Sequence, residues 1–260
     1  MALPSCEAME PNQGGIILGK DNNWYFLTHH GTGDWSGRIV SLLPVTWVQD
    51  WPIPGEVLPQ NIGTMKWDGK IPFKHTEKLS IKRSDDFDED CLAPQWQWNY
   101  QPRKDYFSLT ERPGWLRLKA YRPLETNNLL KAGNTLTQRT FRKQNNDVTI
   151  KMDISNMQDG QKNGLCHFSS QHSAIGIVKE EDACYLEYRK NGNITKGIQI
   201  HSEFIWFRTE WGMDGKSQYY YSLDGDNFLP FGEKYQLTWG NYRGDRIGIY
   251  CFNDKKKLAL

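Results

Sequence analysis

The sequence has no apolar run close to the roughly 18 residues that a membrane span requires. Its first residues, MALPSCEAMEP, also lack the basic start and the apolar stretch of a signal peptide. Nor is there an excess of charge of one sign, because 32 Lys and Arg stand against 31 Asp and Glu. We therefore expect no membrane partner and no nucleic-acid partner, and the sequence leaves the compartment open.

The five cysteines have none of the spacings typical of metal sites. There is no CxxC pair, and no histidine lies at zinc-ligand spacing from any of them. Their odd number and wide separation favour free, mostly buried thiols over disulfides and predict no metal site. The five are Cys6, Cys91, Cys166, Cys184 and Cys251.

A helical stripe is missing as well, since no segment repeats apolar residues every 3.6 positions. Two-residue alternation is frequent instead. In VTIKMDI the apolar residues take every second position, and polar turn signals such as NMQDGQKNG, RKNGN and LDGDN separate such runs. This pattern predicts a two-sheet antiparallel sandwich over residues 84–260. The alternating side chains expected inside it are Val148, Ile150, Met152 and Ile154.

Residues 1–67 have a different texture, with three short apolar runs, GGIILG, NWYFLTH and RIVSLLPVTWV. These runs predict a small antiparallel sheet, which is too small to bury a core alone and would be one blade or edge of a larger body. We expect Trp24, Phe26 and Leu43 to be partly exposed and the sheet edges to favour self-association. Residues 68–83, which are charged and have no period, are predicted to be a linker.

The segment FLTHHGTGDWSGR gathers polar residues in and around one turn of this small sheet. His29 and His30 are adjacent, so alternation sends them to opposite faces and only one can face a given cavity. A structural, hydrogen-bonded histidine is the alternative for each. Asp34 lies among turn residues, where an aspartate is more often a hydrogen-bond acceptor than a catalyst. Arg38 begins an apolar strand and is either a solvated charge at the strand end or a donor to sugar hydroxyls.

Aromatic residues are abundant, with 11 Trp, 12 Tyr and 11 Phe. In QWQWN, Trp96 and Trp98 would share one face if the segment is a strand. Two exposed parallel indoles would form a platform for sugar rings, whereas burial in a sandwich core is the competing interpretation. Asp224 in LDGDN is expected to be a turn residue rather than a metal ligand.

Two long segments resemble a known family. Residues 84–140, from SDDFDEDCLAPQWQWNYQPRKDYFSLTERPGWLRLKAYRP to NNLLKAGNTLTQRT, resemble the start of the C-terminal concanavalin-A-like sandwich of glycoside hydrolase family 43 β-xylosidases. The segment NQGGIILGKDNNWYFLTHHGTGDWSGRIVSLLPVTWVQDWPIPG is similar to the last blade of their five-bladed β-propeller. The implied fold is all-β, with the last blade of a five-bladed propeller followed by the sandwich.

The resemblance implies a xylan or xylo-oligosaccharide substrate and β-xylosidase or α-L-arabinofuranosidase activity for a parent enzyme. In that family the three catalytic acids come from earlier blades, so we expect this chain to be a fragment that is inactive alone. The matching arginine is a substrate contact, which carries over to Arg38, and one of His29 and His30 would line the central pocket. We include Trp35 and Gln13 as further candidate contacts, together with Trp96 and Trp98 in the sandwich.

A histidine often precedes the paired glycines of this blade in the family, near a central calcium ion. Here Asn12 and Gln13 stand at those positions. We therefore expect no cofactor in this chain and leave a calcium ion open for a complete propeller only. Two other functions stay open from the residues: a stand-alone carbohydrate-binding module, and an interaction domain that shares only the architecture.

Overall fold

The computed structural model describes residues 2–3, 11–64, 68–69, 72, 83–240 and 243–257. The chain divides into two compact units, Met1–Ile81 and Lys82–Leu260. Both are built from β-strands with a few short 3₁₀ turns, so the predicted all-β class is confirmed. Most of the predicted linker at residues 68–83 lies outside the described residues.

The first unit contains a four-stranded antiparallel sheet in the order β2-β3-β4-β5. A smaller three-stranded sheet has the order β1-β7-β6, with β1 parallel to β7. A 3₁₀ turn at Pro59–Asn61 precedes the last strand. The strands are β1 (Ala2–Leu3), β2 (Pro11–Leu18), β3 (Trp24–Gly31), β4 (Arg38–Val48), β5 (Trp51–Pro54), β6 (Glu56–Leu58) and β7 (Ile62–Thr64).

Burial in the four-stranded sheet agrees with two of the three expectations. Trp24 is exposed and Phe26 is half-buried, as predicted. The expectation for Leu43 is wrong, because this side chain is buried. Leu43 lies on β4, an interior strand, directly opposite Phe26, whose side chain is its neighbour on the same face of the sheet.

The second unit is a sandwich of a seven-stranded and a five-stranded antiparallel sheet. The seven-stranded sheet has the order β16-β15-β14-β13-β21-β11-β8, and in the other sheet β12-β17-β18-β19 are joined by β20. Its strands are β8 (Gln97–Trp98), β9 (Phe107–Ser108), β10 (Arg117–Leu118), β11 (Thr135–Arg139), β12 (Asn145–Asp153), β13 (Gln161–Phe168), β14 (His172–Glu180), β15 (Ala183–Lys190), β16 (Asn193–Ile200), β17 (Phe204–Gly212), β18 (Lys216–Ser222), β19 (Leu229–Pro230), β20 (Tyr235–Gln236) and β21 (Arg246–Asn253). Strands β9 and β10 form a separate hairpin, and 3₁₀ turns span Lys104–Tyr106 and Leu129–Lys131.

The main core lies between the two sheets of the sandwich. Leu165 and Ile175 from one sheet and Phe207 from the other are almost fully buried in it. The four side chains of VTIKMDI that were predicted to point into the sandwich do so. Ile154 is buried in the core cluster, and Val148, Ile150 and Met152 pack against it. The predicted inward face of this strand is therefore confirmed.

The opposite face of the seven-stranded sheet is also covered. Leu129 and Ala132 belong to one buried cluster with Cys166, Tyr250 and Phe252. A segment between β10 and β11 thus closes this face as a second apolar layer. Of the described cysteines, Cys91 is exposed and Cys166, Cys184 and Cys251 are buried, and all four are free thiols, as expected. Among the described residues, no helix has the length and apolar character needed to cross a membrane.

Candidate functional site

The candidate contacts of the first unit lie at one end of the four-stranded sheet, where β3 and β4 are joined by the turn at residues 32–37. Gly31 pairs with Arg38, and His29 pairs with Val40. Because side chains alternate across a strand, His29, Arg38 and Val40 share one face of the sheet. His30 points to the other face, so the structure separates the two histidines as alternation predicts.

The joining turn uses Asp34 as an internal acceptor. Its Oδ1 accepts hydrogen bonds from Ser36 N and from Thr32 Oγ1, both at 2.8 Å. Gly33 and Gly37 have φ values of 74° and 73°, which glycine adopts without steric cost. Thr32 N donates to Gly37 O and closes the loop. This carboxylate fixes the turn that sets the start of β4, which is where Arg38 lies.

His30 is held as a structural residue. It is buried, and its Nδ1 lies 2.6 Å from Ser41 Oγ on the neighbouring strand. Burial, and to a smaller degree the charge of His29, lowers the pKa of His30. The neutral imidazole is favoured, which fits a side chain that pairs with a hydroxyl inside the sheet rather than one that binds an anion.

His29 has the opposite character. The ring is half-buried, and its Nδ1 makes no hydrogen bond with any described residue although it is buried. It stands diagonally across from Arg38 on the same face, where such neighbours have Cα atoms about 7–8 Å apart. Of the two histidines, His29 is therefore the one placed to act together with Arg38.

Gln13 lies at an irregularity in β2. The pairing of β2 with β3 shifts register between Pro11 and Gly14, and such bulges re-aim a side chain. The side chain of Gln13 is exposed, while its carbonyl accepts a hydrogen bond from Thr28 Oγ1 at 3.2 Å. A Cβ on Gly14 would lie 2.4 Å from Leu27 O, so glycine is required at this approach.

Trp35 is 4% exposed. An indole with so little open surface offers no free face on which a sugar ring could stack, so the structure gives Trp35 a packing role in the turn. Asn12 is described in its backbone only, and its side chain lies outside the described part of the chain.

Two of the three carboxylates described in the four-stranded sheet and its turns lie far from His29 and Arg38. Asp21 and Asp50 lie in the turns at the other end of the sheet, about 25 Å away along an eight-residue strand. Asp21 is held there by Tyr25 Oη at 2.7 Å, and this hydrogen bond is the largest cause of its lowered pKa. At the end that carries Arg38, Asp34 is the only carboxylate among the described residues of this sheet.

Trp96 and Trp98 do not form the shared platform that a continuous strand would give. Trp96 lies in a turn before β8, where its Nε1 donates to Asp85 Oδ2 at 2.7 Å and its ring stacks on Phe87 at 5.6 Å. Trp98 is in β8 and packs on Phe107 with ring centroids 4.8 Å apart. Each half-buried indole thus has its own aromatic partner.

Asp224 serves its own turn. It accepts hydrogen bonds from Ser222 Oγ and from the backbone N–H groups of Asp226 and Asn227, at 2.8 to 2.9 Å. Asn227 Nδ2 also donates to Asp224 Oδ2 at 2.8 Å, and this bond, followed by the others, lowers the pKa of Asp224. In the described part of the chain, no three His, Cys, Asp or Glu side chains cluster as metal ligands would.

Sequence reasoning missed an arginine pair in the sandwich. Arg139 on β11 lies directly opposite Arg246 on β21. The only local sign of this pair is that the apolar strand RIGIYC begins with an arginine. Its partner Arg139 lies 107 positions earlier, so the pairing cannot be predicted unless the order of strands in the sheet is known.

Comparison with known proteins agrees with this architecture. The family described as β-xylosidase C-terminal concanavalin A-like domain matches residues 84–259. A β-xylosidase from Formosa agariphila is 33% identical over 94% of this chain and 45% of its own length. A putative β-xylosidase from Xylanibacter ruminicola is 30% identical over 95% of the chain and 46% of its own length. The chain spans about half the length of these curated relatives.

A solved structure gives the same result. The bifunctional GH43-CE protein of Bacteroides eggerthii superimposes with a TM-score of 0.79 at 27% identity, over 95% of this chain and 32% of that protein. The match therefore includes the small sheet of the first unit as well as the sandwich. The chain belongs to glycoside hydrolase family 43 and carries, at residues 84–259, the concanavalin A-like C-terminal domain of its β-xylosidases.

Proposed function

We propose that this chain is the C-terminal portion of a glycosidase acting on xylo-oligosaccharides or xylan side chains. It would contribute side chains that line the substrate-binding pocket but not the catalytic acids. The main support for this proposal is that His29 and Arg38 share one face at one end of the small sheet. The only described carboxylate at that end, Asp34, is bonded into the turn.

The chemistry of the two side chains suits sugar recognition. A guanidinium presents N–H donors in a fixed fork that matches two neighbouring oxygen acceptors. The imidazole of His29 is half-buried, so part of the ring stays open on the face that it shares with Arg38. Together they would orient one sugar unit by hydrogen bonds to its hydroxyls.

Hydrolysis requires more than orientation. Glycosidases use two carboxyl groups, about 5–5.5 Å apart in retaining enzymes and about 6.5–9.5 Å apart in inverting ones. One must be protonated to assist the departing oxygen, while the other attacks or activates water. Asp34 cannot fill both roles. We therefore propose that the 260-residue chain does not cleave glycosides by itself.

The exposed apolar surface of the first unit supports the assignment of residues 1–67 as a blade remnant. On one face Leu27 and Val40 are exposed, and on the other Trp24 and Trp47 are exposed. A sheet with apolar side chains uncovered on both faces is typical of an element that other sheets cover on each side. In a propeller, neighbouring blades provide that cover.

The experiment is a chimera in which the portion of the Formosa agariphila relative that has no counterpart here is fused to this chain. We expect the chimera to hydrolyse aryl xylosides or arabinofuranosides. Arg38→Ala should lower kcat/KM roughly 10- to 100-fold, since hydrogen bonds from a charged donor contribute about 1.5–3 kcal/mol.

Two control variants show whether such a loss is specific. Arg208→Ala removes an arginine whose Nε donates to Thr149 Oγ1, on the sandwich, and should leave the activity of the folded chimera unchanged. Asp224→Ala should do the same after correction for the folded fraction, because its bonds lie within its own turn. Equal losses in Arg38→Ala and Arg208→Ala would contradict the assignment of Arg38.

A further inference from the structure

A cavity of about 190 Å³ opens on the sandwich, at the edge of the face that the second apolar layer covers. Its wall includes two arginines, Arg243 and Arg246, together with Asn99, Thr137, Phe168 and Ser169. Since each water molecule takes about 30 Å³, the space corresponds to roughly six waters. It is suited to a group of the size of one sugar ring.

Positive charge is concentrated beside this cavity. Arg246 and Arg139 are directly opposite each other across β21 and β11, and like charges in that position destabilise a sheet. Burial, with smaller effects of the charges of Arg243 and Arg139, lowers the pKa of Arg246 to about 10. An anion in the cavity would offset both the repulsion and the loss of hydration.

The hydrogen-bonding capacity of Arg246 is largely unused. Its Nη1 donates to Thr137 Oγ1 at 3.3 Å, whereas its buried Nε has no partner among the described residues. No described carboxylate forms an ion pair with it. The preceding residue, Asp245, is buried with its carboxylate on His167 Nδ1 at 3.1 Å and on the backbone N–H of Thr238.

Neutral polar groups complete the wall. Asn99 donates through Nδ2 to the carbonyls of Leu130 and Ala132, at 3.0 and 3.1 Å, which fixes the orientation of its amide. Its Oδ1 accepts no hydrogen bond from the described residues and is therefore available to a hydroxyl donor. The hydroxyl of Ser169 is bonded to Gln171 and Thr238, whereas the exposed Ser170 adds a hydroxyl to the wall and Phe168 adds an apolar surface.

We propose that this cavity binds a sugar unit bearing a carboxylate, a uronate, with the carboxylate on Arg246 and Arg243 and the hydroxyl groups on Asn99 and Ser170. A guanidinium pairs with a carboxylate through two parallel N–H donors, which provides both affinity and orientation. The site goes beyond the proposed glycosidase function, because it lies wholly in the sandwich and does not depend on His29 or Arg38.

The test is titration calorimetry on the 260-residue chain at low ionic strength, with glucuronic acid, glucose and inorganic phosphate as separate probes. We expect glucuronate to bind at least tenfold more tightly than glucose or phosphate. Arg246→Gln and Arg243→Gln should each weaken glucuronate binding at least tenfold. Arg208→Gln, an arginine of the other sheet, should leave it unchanged.

Three results would overturn the proposal. Equal affinities for glucuronate and glucose would remove the role of the arginines. Equal affinities for glucuronate and phosphate would leave an anion site without sugar recognition. Undiminished binding by Arg243→Gln, whose exposed position lets the variant fold even if Arg246→Gln does not, would move the ligand away from this cavity.

Discussion

The ring nitrogen Nδ1 of His30 lies 2.6 Å from Ser41 Oγ across β3 and β4, and this hydrogen bond distinguishes His30 from its neighbour His29. His30 is buried and bonded within the sheet, whereas His29 shares the opposite face with Arg38. A pair of residues that looks like one polar motif in the sequence therefore has two different roles in the folded chain.

Replacement of the two histidines should separate these roles. His30→Ala removes a buried ring and its hydrogen bond to Ser41, so we expect a loss of about 1–2 kcal/mol in the free energy of unfolding. His29→Ala should cost less than about 0.5 kcal/mol, since its ring nitrogen has no described partner to lose. Urea unfolding followed by tryptophan fluorescence measures both. A larger loss in His29→Ala would reverse the assignment.

The stability of the sandwich should fall in mildly acidic solution because of His172. Burial, with a smaller effect of Arg189, lowers the pKa of His172 from 6.5 to about 4. The folded state holds this imidazole neutral, so its contribution to stability is complete above pH 6.5 and is lost as the pH falls toward 4. The shift corresponds to up to about 3 kcal/mol.

Unfolding free energies between pH 7 and pH 4 measure this effect. His172→Gln should flatten the dependence on pH in that window, whatever its effect on stability at pH 7. His201→Gln, which changes an exposed histidine, is the matched control and should keep the slope of the parent chain. Identical slopes for the parent and His172→Gln would show that another group governs the loss.

Trp96 and Asp85 should be energetically coupled, because the indole N–H of Trp96 donates to the carboxylate of Asp85 at 2.7 Å. We expect a double-mutant cycle of Trp96→Phe and Asp85→Ala to give a coupling energy of about 1 kcal/mol. The matched cycle with Trp98→Phe should give about zero, since Trp98 packs on Phe107. Coupling of the same size in both cycles would mean that the two indoles act as one unit.

The exposed apolar surface of the first unit should cause self-association of the isolated chain. Val40 and Trp51 are 74% and 75% exposed. We expect a concentration-dependent increase in sedimentation coefficient that Val40→Lys and Trp51→Lys reduce. Leu124→Lys, at an exposed leucine of the sandwich, is the control and should have no effect. A monomer at every concentration would contradict this interpretation.

Local patterns predicted the parts of the structure that local chemistry determines. The alternation of Val148, Ile150 and Met152 placed their side chains correctly, because a strand packed on one face imposes that period. The role of Asp34 as a turn acceptor also followed from its glycine neighbours. These features depend on residues within a few positions of each other.

Features that depend on distant partners could not be predicted. Trp96 leaves the strand pattern of QWQWN because Asp85, 11 positions earlier, binds its indole. Burial of Leu43 depends on its position opposite Phe26 in an interior strand pair. The cavity beside Arg246 exists only because β11 and β21 are neighbours in the sheet, and no pattern within either strand states that order.

An assay of the purified 260-residue chain with aryl xylosides and aryl arabinofuranosides tests whether this chain can cleave glycosides by itself. We expect no hydrolysis above the rate without protein, at any pH at which the chain is folded. Asp34 is the single carboxylate described beside His29 and Arg38, and hydrolysis requires a second. Protein-dependent release of the aryl group that Asp34→Asn abolishes would contradict this expectation, since this chain would then contain a working catalytic acid.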